Sequence, residues 1–183
     1  MIRRHMLVVF ATLLVVASAI SFAQTPSPAA APPQAKDTIL KATDITAHLF
    51  PTTVFFHGQT ATSQMDNAGG VRYADGQLVL AALVDSSGYA SQLRMKYQGY
   101  LITEVEISIS GQTLKPGAYG FGFLDNNKFV VMDLGANDVL QVTSTRDADI
   151  RHPMPLQIVA GAGAGNYRLY HGRDYIEFHR QGH

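Results

Sequence analysis

The sequence predicts an all-β domain. The expected form is a single two-layer antiparallel β-sandwich, jelly-roll or Ig-like in shape, with a small β-barrel as the alternative. Three observations lead there. After Ala47 the chain of 183 residues shows almost no helical periodicity, only short β-branched and aromatic runs separated by Gly, Asn and Asp. Leu78 to Val84 is an unbroken apolar run, as in a central strand covered on both faces, and two covered faces call for stacked layers. The C-terminal segment pairs with itself in one register that satisfies turn, pleat and cross-strand chemistry together.

Taken from the start, residues 1–23 read as a secretory signal peptide. Arg3 and Arg4 precede an apolar run from Met6 to Ile20, and Ser21-Phe22-Ala23 offers small residues for a cut after Ala23. An uncleaved anchor is the competing reading, but Met6 to Ala23 is only 18 residues and is diluted by Thr12, Ser18 and Ser21. With no cysteine present, anchoring through a lipidated cysteine is excluded. The product is expected in the periplasm or outside the cell, with no stable membrane span after cleavage.

Residues 24–36 form a Pro/Ala-rich linker, because Pro26, Pro28, Pro32 and Pro33 rule out a regular helix or central strand. Residues 37–183 are the expected sandwich domain, long enough to bury a real core. Zero cysteine removes disulfides, thiol chemistry and thiolate metal sites, so packing must stabilise the domain. Without Arg3 and Arg4 the 14 acidic residues outnumber the remaining basic ones, and no basic stripe suggests nucleic acid.

Within the domain, Lys36 to His48 carries a weak helical pattern that Thr38, Thr43 and Thr46 disfavour. Val54 to Phe56, Val139 to Val142 and Leu156 to Ala160 are short strand candidates. Asp75-Gly76 and Asn126-Asn127 are read as two-residue turns, pairing Tyr73 with Leu78 in the first hairpin and Phe121 with Met132 in the second. Leu93 to Tyr97 alternates as a half-exposed strand. Leu101, Thr103, Val105, Ile107 and Ile109 share one face of the next, with Glu104 and Glu106 on the other. In the last hairpin Gly172-Arg173 makes a type II′ turn. His171 then pairs with Asp174, Leu169 with Ile176, and Arg168 with Glu177. The expected total is nine or ten strands.

Leu114-Lys115-Pro116-Gly117-Ala118-Tyr119-Gly120-Phe121 resembles the L-x-P-G-x-Y hairpin entry of secreted bacterial β-sandwich domains, a group of uncharacterised proteins. The resemblance covers about eight residues. It implies a sandwich, often in a non-catalytic accessory or binding role, and transfers no functional residues.

The search for chemistry yields a short set of binding candidates. Gly120 and Gly122 alternate with aromatic residues and strip one strand face bare, which marks a close approach: either a neighbouring aromatic packed over the glycines or a shallow groove with Asp133 as a polar contact. His171 beside Asp174 is either an imidazole–carboxylate pair that could orient a base or simply a polar pair closing the turn. Gly161 to Gly165 is glycine-rich but lacks the Lys-Ser/Thr of a phosphate loop. No catalytic set, metal site or cofactor is expected. The leading reading is an exported non-enzymatic binding or structural module of the bacterial envelope. Its partner is unknown: an envelope protein, a glycan or a small apolar ligand, with strand-edge pairing between copies as a route to a homo-oligomer. The competing readings are two. One is a polymer-acting hydrolase assembled from distant residues such as His57, Asp85, Asp133 and His171. The other is an apolar-ligand carrier with an unfilled interior.

Overall fold

A computed structural model describes residues 36–182. The expected signal peptide (1–23) and the linker up to residue 35 lie outside the described residues, as does residue 183. The described chain builds fourteen strands and one short helix. The strands are β1 (Thr38–Leu40), β2 (Thr53–Phe56), β3 (Gln59–Arg72), β4 (Leu78–Val84), β5 (Gly99–Thr103), β6 (Ile107–Ile109) and β7 (Gln112–Leu114). They continue as β8 (Gly117–Leu124), β9 (Lys128–Met132), β10 (Asp138–Thr143), β11 (Thr145–Arg146), β12 (Leu156–Ala160), β13 (Asn166–His171) and β14 (Asp174–Arg180). Helix α1 is Ser91–Lys96.

These strands form two antiparallel sheets packed face to face, a sandwich rather than a closed barrel. The eight-stranded sheet runs β1-β3-β4-β5-β8-β9-β10, with β2 also paired to β3. The six-stranded sheet runs β12-β13-β14-β6-β7, with β11 also paired to β14. Strand β4 is covered on both faces, as its apolar run requires. Val79, Ala81 and Leu83 enter the core between the sheets, while Leu80, Ala82 and Val84 enter a second core on the outer face. That outer face is covered by β2, α1 and the irregular chain around them, through Phe50, Val54, Phe56, Tyr89 and Tyr97. The eight-stranded sheet is therefore the middle of three layers.

The last hairpin has the register read from its sequence, with His171 opposite Asp174 and Arg168 opposite Glu177. Gly172 takes a positive φ of 60°, as the first residue of a type II′ turn must. Arg168 Nε donates to Glu177 Oε1 at 2.8 Å.

Two other hairpins correct the sequence reading by one residue. Gly76 (φ 90°) and Asn127 (φ 57°) sit at the third position of three-residue loops, not the second position of two-residue turns. Leu78 consequently pairs with Arg72, and Phe121 pairs with Val131 instead of Met132. A one-residue slip reverses every side chain. Phe129 and Val131 therefore join Phe121 and Phe123 between the sheets, while Val130 and Met132 join the outer core.

Leu93 to Tyr97 is also corrected. It is the end of α1 and its C-cap, not a strand. Leu93 and Tyr97 lie four apart, a spacing that puts both on one side of a helical turn, and both pack into the outer core. The expected long strand through Leu101 and Ile109 breaks at Glu104–Glu106, so β5 belongs to one sheet and β6 to the other. Its apolar face is nonetheless continuous, because Leu101, Val105, Ile107 and Ile109 all enter the inter-sheet core. At the corner the buried Thr103 hydroxyl bonds the backbone of Val105. Tyr119 Oη donates to Lys115 O at 3.0 Å, tying the L-x-P-G-x-Y turn to the strand that follows it. Lys36 to His48 holds β1 and a 3-10 turn over Ala42–Asp44.

Candidate functional site

Gly120 and Gly122 are packed over and do not floor an open groove. A Cβ at Gly120 would meet the Phe56 and Tyr97 rings, and one at Gly122 would collide with the Lys96 carbonyl oxygen. Phe56 and Tyr97 stack with centroids 3.9 Å apart, directly over the sheet. The glycines are thus the seat of the outer layer.

Asp133 is not beside them, because the corrected register turns β9 over. Its carboxylate instead holds the turn into β10, with Oδ1 accepting from Gly135 N and Asn137 N, both at 2.9 Å. The side-chain amide of Asn137 adds a further bond, which keeps the Asp133 carboxyl below its usual range. His57 reaches the same turn, with its N–H donating to Leu134 O and Nδ1 bonding Gly135 O at 3.1 Å.

His171 and Asp174 face one another across the hairpin but are engaged elsewhere. The His171 ring stacks on Phe123 at 5.7 Å, while Asp174 accepts from Arg146 at 3.2 Å. Burial pushes the His171 imidazole below its ordinary value, and the negative charge of Asp174 only partly offsets this. Asp85 accepts from Ser87 N at 3.0 Å, which is local turn chemistry. Among the described residues, no three His, Asp or Glu side chains are grouped for a metal.

A polar cavity of about 540 Å³ opens at the end of the molecule where β3 turns into β4. Glu104, Glu106, Asp75 and Arg180 line it. Its charges serve the fold. Glu104 Oε2 accepts from Leu78 N at 2.8 Å, and Arg180 donates to Asp75 at 2.6 Å while lying over the Tyr73 ring. The Tyr73 hydroxyl is buried without a partner, and burial with the nearby Asp37 charge pushes its pKa up to about 12.

A second cavity, of about 490 Å³, has a different character. It lies between β1 with its following 3-10 turn and strand β12, beside the middle of β3. Ile39, Leu40, Ala68, Leu156 and Ile158 make it apolar, and Lys41, Asp66 and Gln157 supply polar groups. Leu40 and Ala68 belong to the outer core, whereas Leu156 and Ile158 belong to the inter-sheet core. The groove is the seam where neither core closes over the other. Gly69 brings its walls together, since a Cβ there would stand 3.0 Å from Ile158 N. Met154 hangs at the edge, 48% exposed. The sequence reading missed this groove because its residues come from three segments, none carrying a motif.

The interior of the sandwich is filled. Among the described residues, a void between the sheets beside Leu101, Phe129, Ile158 and Phe178 is about 10 Å³, no more than the space of a single water. No helix among the described residues is long and apolar enough to cross a membrane. No family model, curated protein or solved structure matches the chain.

Proposed function

We propose that this chain is an exported, non-catalytic binding module of the bacterial envelope, and that the seam groove is its ligand seat. The observation that carries the reading is the groove itself. Its volume of about 490 Å³ falls in the range of small-molecule sites, and its apolar walls are interrupted by a few polar groups. A small apolar ligand suits it better than a polar one, because Ile39, Leu156 and Ile158 offer surface but few partners for buried polar atoms. The hydrolase reading has less support. None of His57, Asp85, Asp133 and His171 lines this groove or the polar cavity.

The test is a fluorescence titration of the exported protein with N-phenyl-1-naphthylamine, an apolar dye. Saturable binding that Gln157→Trp abolishes by filling the groove is the expected result. Absence of saturable binding, or binding that Gln157→Trp leaves intact, contradicts the reading.

A further inference from the structure

We infer that Met154 is an oxidation site that sets the affinity of the seam groove for its apolar ligand; the inference rests on the ligand reading above. The chain has no cysteine, so methionine is its only sulfur. Among the described methionines, Met132 is fully buried and Met65 partly buried. Met95 and Met154 are open, at 63% and 48% exposure. They differ in place. Met154 lines the seam groove, whereas Met95 lines a shallow hollow between α1 and the β8–β9 turn.

The backbone at Met154 is fixed while its side chain is free. Pro153 and Pro155 flank it, and Met154 O accepts from Gly172 N at 3.1 Å. A chemical change at the sulfur therefore acts where the side chain already hangs, at the rim of the groove. Hydrogen peroxide transfers one oxygen atom to Sδ. The thioether loses two electrons to become a sulfoxide, the peroxide O–O bond breaks, and water leaves. This turns a soft apolar side chain into a polar one beside Ile158 and Leu156. An apolar ligand then covers a polar S=O with no partner for it, and affinity falls.

The test uses the full mature protein treated with dilute hydrogen peroxide, with oxidation placed by peptide mass spectrometry. Dye binding is then titrated for wild type, Met154→Leu and Met95→Leu. Oxidised wild type and oxidised Met95→Leu are expected to bind about tenfold more weakly than before treatment, the scale of covering an unpaired polar group. Oxidised Met154→Leu is expected to keep its affinity. Methionine sulfoxide reductase is expected to restore the wild type. The inference is overturned if Met154 stays unoxidised while Met95 reacts, if sulfoxide at Met154 leaves binding unchanged, or if Met154→Leu loses affinity equally. Failure of the groove reading looks different, because Gln157→Trp then binds dye like the untreated wild type.

Discussion

On one face of the eight-stranded sheet, Val79, Ala81, Leu101, Phe121 and Val131 meet a second sheet. On the other, Leu80, Ala82, Tyr100, Val130 and Met132 meet β2, α1 and irregular chain. The first core is periodic on both sides, since strands supply both surfaces. The second is periodic only on the side of the sheet. Its cover is anchored by a few large rings, Phe50, Phe56, Tyr89 and Tyr97, and by glycines that let those rings and the α1 backbone sit close. Tyr89 Oη adds a bond to Phe56 O at 3.0 Å, but the Tyr97 hydroxyl is buried with no partner. A ladder of paired strands holds one cover in place, while docking of side chains holds the other. The two covers should therefore fail differently.

The largest effect is expected from Phe121→Ala. The ring is fully buried between the sheets and fills the space left by Gly99. Its loss should cost about 3–5 kcal/mol in urea unfolding, with both layers lost in one transition. A second step confined to one layer would break the picture of the inter-sheet core as common support.

Gly122→Ala sharpens the contrast from the other side. The new methyl collides with the Lys96 carbonyl, so α1 must lift, at a cost of about 1–3 kcal/mol. Hydrogen exchange should quicken in α1 and β2 well before β13 and β14. Uniform quickening would show that the cover is not a separable layer.

A smaller effect is expected from pH. Burial makes the folded protein resist protonation of His171, whereas the unfolded chain titrates near the ordinary imidazole value of about 6.5. The unfolded state thus takes up protons first. The contribution of His171 is full above about pH 6.5 and is lost as pH falls through the lower folded value. Asp75, Asp133 and Asp147 act in the same direction at lower pH, because hydrogen bonds from Arg180, Asn137 and Tyr170 hold their carboxyls below the usual range. His171→Leu should flatten stability between neutral and mildly acid pH. An unchanged slope would remove His171 from the inter-sheet edge.

Tyr97→Phe should change least, within about 1 kcal/mol and neutral or stabilising, because it removes a buried hydroxyl that has no partner. A large loss measured by thermal unfolding would mean that the hydroxyl is bonded after all.

The same contrast explains what was legible in the sequence. Leu78 to Val84 announces a doubly covered strand, and Gly172 as the first turn residue fixes the last hairpin. The hairpins at Gly76 and Asn127 were displaced by one because a left-handed residue alone does not say whether it ends a two-residue or a three-residue loop. The His57-Gly58 and Ser110-Gly111 turns, left-handed at both residues, carry the same x-Gly signal. Leu93 to Tyr97 fits a strand and a helical turn alike, since positions 93 and 97 share a face in both. The bare Gly120–Gly122 face was recognised as a close approach, but only tertiary structure shows that Phe56, Tyr97 and Lys96 fill it. The groove was invisible for the same reason. Ile39, Ala68 and Ile158 become neighbours only when the edges of the two sheets meet.

The most direct test of this account is hydrogen exchange with and without the apolar dye, read across the seam. Residues 39–43 and 66–69 line the groove from the eight-stranded sheet and its 3-10 turn, and residues 154–159 line it from the six-stranded sheet, so the dye should slow their exchange together and leave β8 and β9 unchanged. Protection confined to one sheet, or centred on the Gly120–Gly122 face, would contradict the seam as the ligand seat.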